Sequence, residues 1–206
     1  MHEIDQVTIE TRSQFNTSDH LPVVTHCAHP VLLSDGTIYN IGLNAGLTGM
    51  NYVLFEFPGQ PKQSDATNFM HQCRVLAKIP SRWPFNPTYM HAFAVTENYV
   101  ILVEQSLCIS IAQVFQLKIT HGPMTDALIW YGNEPVRFRL INRHTMTEHD
   151  SYVYLTSPFF FLHIINAYED GNYLVIDLCC YENADMLKCM TIDALEVEFC
   201  LKIFDK

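Results

Sequence analysis

The sequence predicts an all-β protein, on three observations. Short β-branched and aromatic runs recur along the chain, Gly, Pro, Asn and Asp punctuate them, and two turn sequences join neighbouring runs as hairpins. The first hairpin is VLLSDGTIYNIG (31 to 42), whose Asp35-Gly36 turn supplies residues that tolerate the positive φ a tight hairpin requires. NYVLFEF (51 to 57), YMHAFAV (89 to 95), YVILVEQ (99 to 105), ALIWYG (127 to 132) and VRFRLI (136 to 141) follow, each of strand length. The second hairpin joins FFFLHIINAY (159 to 168) to YLVIDLCCY (173 to 181) through Glu169-Asp170-Gly171-Asn172. PSRWPFNPTY (80 to 89), with its prolines, reads as a loop. Helical readings arise only for SLCISIAQVFQL (106 to 117), which is ambiguous, and ADMLKCMTIDALEVEF (184 to 199). A sandwich, barrel or propeller fits this pattern.

At 206 residues the chain is the size of one domain, and no linker divides it. Disorder is excluded by the 49% hydrophobic, 12% aromatic and 17% charged composition. A formal charge of −10 argues against a nucleic-acid partner, since such surfaces concentrate Lys and Arg. The seven cysteines form an odd set without a C-x-x-C pair, so they read as reduced core thiols rather than a disulfide framework or a cysteine-rich zinc site. The N-terminus lacks the basic and apolar regions of a secretion signal, so a cytoplasmic location is expected. No apolar run reaches the roughly 18 residues needed to span a bilayer.

Common catalytic motifs do not account for the chain. GLNAGLTG (42 to 49) has the wrong glycine spacing for a dinucleotide fingerprint and lacks the P-loop lysine, so it reads as a turn-rich connection. Neither a G-x-S-x-G elbow nor an H-E-x-x-H pair occurs. Three of the ten histidines, His29, His91 and His163, lie in or beside apolar strand-like segments. Alternation places Tyr89, His91 and Phe93 on one face, and Phe161, His163 and Ile165 on one face. Separations of 62 and 72 residues exceed any local metal motif but are compatible with one ligand per propeller blade plus an insertion. Spacing leaves a second reading open, because a lone histidine on an apolar strand is more often a hydrogen-bonded core residue. His2, His20, His26, His71, His121, His144 and His149 read as non-ligands.

Three blocks, in order, resemble the carotenoid oxygenase family. THCAHPVLLSDGTIYNIG (25 to 42) looks like its Ala-His-Pro segment and hairpin, and TYMHAFAVTENYVILVEQ (88 to 105) like its Tyr-x-His-x-Phe strand pair. FFFLHIINAYEDGNYLVIDLCCY (159 to 181) looks like its His-x-x-Asn-Ala-Tyr-Glu-Asp-Gly block, with Leu162 where the family often has Phe. An ID-x-x-T-x-ET element from Ile4 to Thr11 also looks familial, so the resemblance is strongest over 4 to 181 of one domain spanning 1 to 206.

The resemblance implies a seven-bladed β-propeller with one Fe(II) on its axis, held by four histidines, of which His29, His91 and His163 match three. It implies dioxygen-dependent cleavage of a carotenoid or retinoid double bond to aldehydes, with O2 and an apolar polyene as substrates and peripheral membrane contact for their uptake. Tyr89, two residues from His91, is a candidate for substrate contact, with simple packing as the alternative. The fourth histidine and the glutamates that hold the ligands have no counterpart here. The propeller is therefore expected to be incomplete at both ends, to bind iron poorly through unsupported ligands, and to self-associate through exposed strand edges. The alternative is a truncated, non-catalytic protein that binds a carotenoid or retinoid, or pairs with another chain.

Overall fold

The computed structural model describes residues 1–59 and 70–192. The chain begins with a small antiparallel pair, β1 (His2–Ile4) and β2 (Thr11–Gln14). A five-stranded antiparallel sheet follows, made of β3 (Thr25–His26), β4 (Val31–Leu32), β5 (Ile38–Gly46), β6 (Gly49–Phe57) and β7 (Arg74–Pro80). Its order is β3-β5-β6-β7, with β4 pairing on β5 beside β3. A second sheet orders β8 (Ala94–Val95), β9 (Tyr99–Glu104), β12 (Val136–Asn142) and β13 (Tyr154–Thr156) from one edge to the other. Between β9 and β12 the chain makes β10 (Leu107–Ile109), helix α1 (Ile111–Thr120) and β11 (Leu128–Trp130). The hairpin of β14 (Ile164–Asp170) and β15 (Tyr173–Leu178) comes last. Four antiparallel strands in up-and-down order form the unit from which propeller blades are built.

Turn chemistry explains both hairpins foreseen in the sequence. Gly36 (φ +82°) and Gly171 (φ +57°) occupy the left-handed region that a side chain rarely tolerates. The two large sheets meet over one apolar layer: Ile41, Leu43, Tyr52 and Leu54 face Phe93, Val100, Leu102 and Ile141. The other face of β6 puts Val53, Phe55 and Phe57 against Leu21, Val23 and Met70. A strand buried on both faces reads as a continuous apolar run, which is why 51 to 57 shows no alternation. Each such side chain contributes about 1.5–3 kcal/mol of burial. Across the sheet junction, Arg139 donates to the Pro80 carbonyl at 2.5 Å and pairs with Glu148, while buried Glu104 accepts the Arg82 amide at 3.1 Å.

Several sequence expectations need correction. The ambiguous stretch 106 to 117 divides into β10 and α1, because the Ser110 side chain accepts the Gln113 amide at 3.3 Å and starts a helix there. In 184 to 199 the described part is a 3₁₀ helix, Asp185–Met190, and 193 to 199 lies outside the described residues. The strands foreseen at 89 to 95 and 159 to 168 begin late, at Ala94 and Ile164, so neither His91 nor His163 sits in a ladder. Alternation therefore fails around His163: Phe161 is fully buried while Ile165 is 70% exposed. The six described cysteines are free thiols, but Cys179 and Cys180 are exposed, so not all belong to the core; Cys200 lies outside the described residues. No helix among the described residues is long and apolar enough to cross a membrane.

Candidate metal centre

Each of the three histidines occupies the same topological place in a successive sheet. His29 lies in the link between β3 and β4, at the edge of the first sheet. His91 lies just before β8, the edge of the second, and His163 just before β14, the first strand of the last hairpin. Repeating one position in similar sheets brings three loops, distant in sequence, to one point.

Ligand-capable nitrogens of His29, His91 and His163 all lie within 4.8 Å of one another. The His29 and His91 Nε2 atoms are 3.0 Å apart, and the ring centroids are separated by 4.7 Å (His29 to His91 and to His163) and 4.9 Å (His91 to His163). Two imidazoles binding one metal at right angles, each at about 2.1 Å, would stand about 3 Å apart. The His29–His91 pair therefore has the spacing of two nitrogens on one metal, and the His163 nitrogen, within 4.8 Å of both, needs only a small ring movement to join them. Among the described residues no Cys, Asp, Glu or further His joins it.

Electrostatics favours the metal-ready form. Desolvation, and then the neighbouring His29 and His163, hold His91 below the ordinary histidine range, so its ring stays neutral. The Tyr89 hydroxyl lies 3.2 Å from His91 Nδ1. The tautomer that donates Nδ1–H to that oxygen leaves the Nε2 lone pair bare for a metal. Burial pushes the Tyr89 phenol up, so it remains un-ionised. Tyr89 also lines a cavity of about 230 Å³ with Thr25, Cys27, Ile41, Met90 and His91. The expectation of wholly unsupported ligands is thus corrected for His91, whose partner is a phenol two residues away.

Sequence reasoning missed Glu169. Its carboxylate accepts from Thr96 Oγ1 at 2.6 Å, the Asn98 amide at 2.7 Å and Asn98 Nδ2 at 2.8 Å. Against the desolvation that raises it, the hydrogen bonds from Asn98 and Thr96 and the Arg143 charge hold this carboxyl below its usual range. The clamp ties the hairpin behind His163 to the β8–β9 turn behind His91. Its signal was visible as two polar triplets, Thr96-Glu97-Asn98 and Tyr168-Glu169-Asp170, but nothing local says that they meet.

The sequence profile described as "Retinal pigment epithelial membrane protein" matches residues 1–200. The carotenoid isomerooxygenase of Galleria mellonella is 34% identical over 95% of this chain and 37% of its own length. The Homo sapiens mitochondrial carotenoid-cleaving dioxygenase is 31% identical over 91% of this chain and 32% of its own. The chain thus spans about a third of the length of these relatives. A variant of the Synechocystis apocarotenoid oxygenase superposes with a TM-score of 0.62 at 16% identity, over 89% of this chain and 36% of that one. The Pseudomonas brassicacearum lignostilbene dioxygenase superposes with a TM-score of 0.59 at 20% identity, over 85% and 33%. At these identities the superpositions establish the shared fold.

Proposed function

The chain belongs to the carotenoid oxygenase family, and we propose that His29, His91 and His163 are three ligands of an iron(II) centre on the axis of a seven-bladed propeller. The observation that carries this reading is the convergence of one histidine from each of three successive sheets to within 4.8 Å. Neutral imidazoles suit iron(II), and a set without carboxylate ligands is compatible with open coordination positions. When bound, iron(II) supplies the redox chemistry that adds both atoms of dioxygen across a carbon-carbon double bond, giving two carbonyl products.

The residues of this chain prepare the site for that reaction. Tyr89 fixes the His91 ring and offers an aromatic wall to an apolar chain entering beside it. The cavity beyond Tyr89 is lined largely by Cys27, Ala28, Ile41, Leu43, Met90 and Ile109. Such an apolar wall suits contact with part of a polyene chain. Delivery of so insoluble a substrate favours contact with a membrane surface. Leu47, Phe85, Phe115 and Ile119 are 63% or more exposed. Their segments meet through hydrogen bonds from Met50 to the Pro84 carbonyl and from Ile111 to the Phe85 carbonyl, and we infer that these side chains form one apolar rim.

Anaerobic Fe(II) titration of the 206-residue chain and its three His→Ala variants tests the reading. One equivalent of iron, weakened in every variant, supports it. Equal binding by all four proteins overturns it. Vesicle co-sedimentation tests the rim: Phe85→Ser with Phe115→Ser lowers the bound fraction at unchanged far-UV circular dichroism, and an unchanged fraction refutes membrane uptake.

A further inference from the structure

None of the three histidines lies inside a strand ladder, so backbone pairing does not fix where their rings stand. Two buried, non-ligating side chains do connect the three loops. The first is Cys27, 6% exposed at the end of β3. Its Sγ accepts the His29 amide at 3.2 Å and donates to the His91 carbonyl at 2.7 Å, joining segments 64 residues apart. Asn40 Nδ2 in turn holds the Cys27 carbonyl at 3.0 Å, so the thiol projects from an anchored peptide.

The second is Gln105, fully buried at the end of β9. Its Nε2 donates to the carbonyls of Tyr89 at 2.9 Å and Phe161 at 3.1 Å, and its Oε1 accepts the Phe161 amide at 3.1 Å. Tyr89 and Phe161 each stand two residues before a histidine of the cluster. Both donor hydrogens of one amide are therefore committed to the His91 and His163 segments. A buried amide or thiol in place of an apolar side chain costs desolvation unless its bonds are made. Here each such bond goes to a peptide adjoining the cluster.

We propose that Cys27 and Gln105 are positioning residues that set the relative places of the three histidines, Cys27 coupling His29 to His91 and Gln105 coupling His91 to His163. Neither touches the reacting atoms. The consequence for metal binding rests on the iron reading above, whereas the geometric claim stands without it. The couplings differ in kind. Cys27 acts on the backbone of both ligand residues, while Gln105 acts one step back, on the residues that aim them.

The test is solution NMR of the metal-free chain, reading nuclear Overhauser contacts between the imidazole protons, followed by Zn(II) titration. The wild type should show His29 to His91 and His91 to His163 contacts. Cys27→Ala should lose the first and keep the second; Gln105→Met, close in volume, should lose the second and keep the first. Cys27→Ser, which keeps a donor and an acceptor, should restore the first. Each loss should weaken Zn(II) about 10 to 100-fold, as removing outer partners of a ligand does, with the amide fingerprint of β5 and β6 unchanged. Contacts retained in both Cys27→Ala and Gln105→Met overturn the proposal, as does a wild type without contacts. Should Gln105→Met fail to fold, the Cys27→Ala and Cys27→Ser pair decides alone, since the restoration is specific to the thiol's bonds. A wild type with ring contacts but no metal affinity sinks the iron reading and leaves the positioning intact.

Discussion

Strand β6 and the β14–β15 hairpin are built from similarly apolar sequence yet meet different surroundings. Eight of the nine β6 residues are buried, whereas no residue of β14 is, and Ile165, Tyr168 and Tyr173 of the hairpin lie 70%, 44% and 75% exposed. One face of the hairpin packs on Ala94, Ile101 and Leu140 through Ile164, Ala167, Leu174 and Ile176. Its other face and its edges have no sheet partner among the described residues. The cluster thus draws two histidines from well-covered sheets and one from a thinly covered hairpin. A site assembled this way is only as ordered as its least covered element.

The largest test of that difference is in stability. Leu54→Ala on β6 should cost about 2–5 kcal/mol in urea unfolding, and Leu174→Ala on the hairpin less than half as much, because its site is only partly enclosed. Equal costs would remove the contrast. Next comes metal affinity: His91→Ala should weaken Co(II) binding more than His163→Ala, since His91 has Tyr89 as its partner at 3.2 Å. A reversed order in calorimetric titration would show that the hairpin holds the better ligand.

Smaller effects follow from Glu169. Glu169→Gln keeps the shape of the clamp but removes its charge, so hairpin amides should exchange faster, by about 1 kcal/mol of opening energy. Its folded pKa is depressed, so the unfolded chain binds the proton more readily. The clamp's contribution is therefore full above the ordinary carboxylate value near 4.5 and is lost as pH falls through the lower, folded value. Acid titration of the hairpin amides should show that step in the wild type and not in Glu169→Gln. Smallest is the surface: Ile165→Lys with Tyr173→Lys should change stability by no more than about 0.5 kcal/mol. Sedimentation should show reduced self-association if the bare hairpin face drives it.

Much of this was legible in the sequence. Asp35-Gly36 and Asp170-Gly171 marked their hairpins because positive φ leaves a compositional trace, and the apolar runs marked β6, β9 and β12. His29, His91 and His163 were legible as candidates, but spacing alone favoured core histidines, and convergence needed coordinates. Alternation misled at Phe161 and Ile165 because the chain leaves the ladder before Ile164, where period-two reasoning no longer applies. The helix at Ile111–Thr120 was obscured by β-branched Ile111, Val114 and Ile119, and its start depended on one capping serine. Cys27, Gln105 and Glu169 stayed invisible because each has a partner 56 to 73 residues away, and a polar side chain does not announce which distant peptide it satisfies.

X-ray absorption at the iron edge of the anaerobically loaded 206-residue chain shows whether His29, His91 and His163 bind one metal together. Three imidazole nitrogens at about 2.0–2.2 Å are expected, with the outer-shell scattering that rigid imidazole rings give, and one fewer ring in each single His→Ala variant. A first shell of oxygen alone, or a spectrum that the histidine variants leave unchanged, would contradict it.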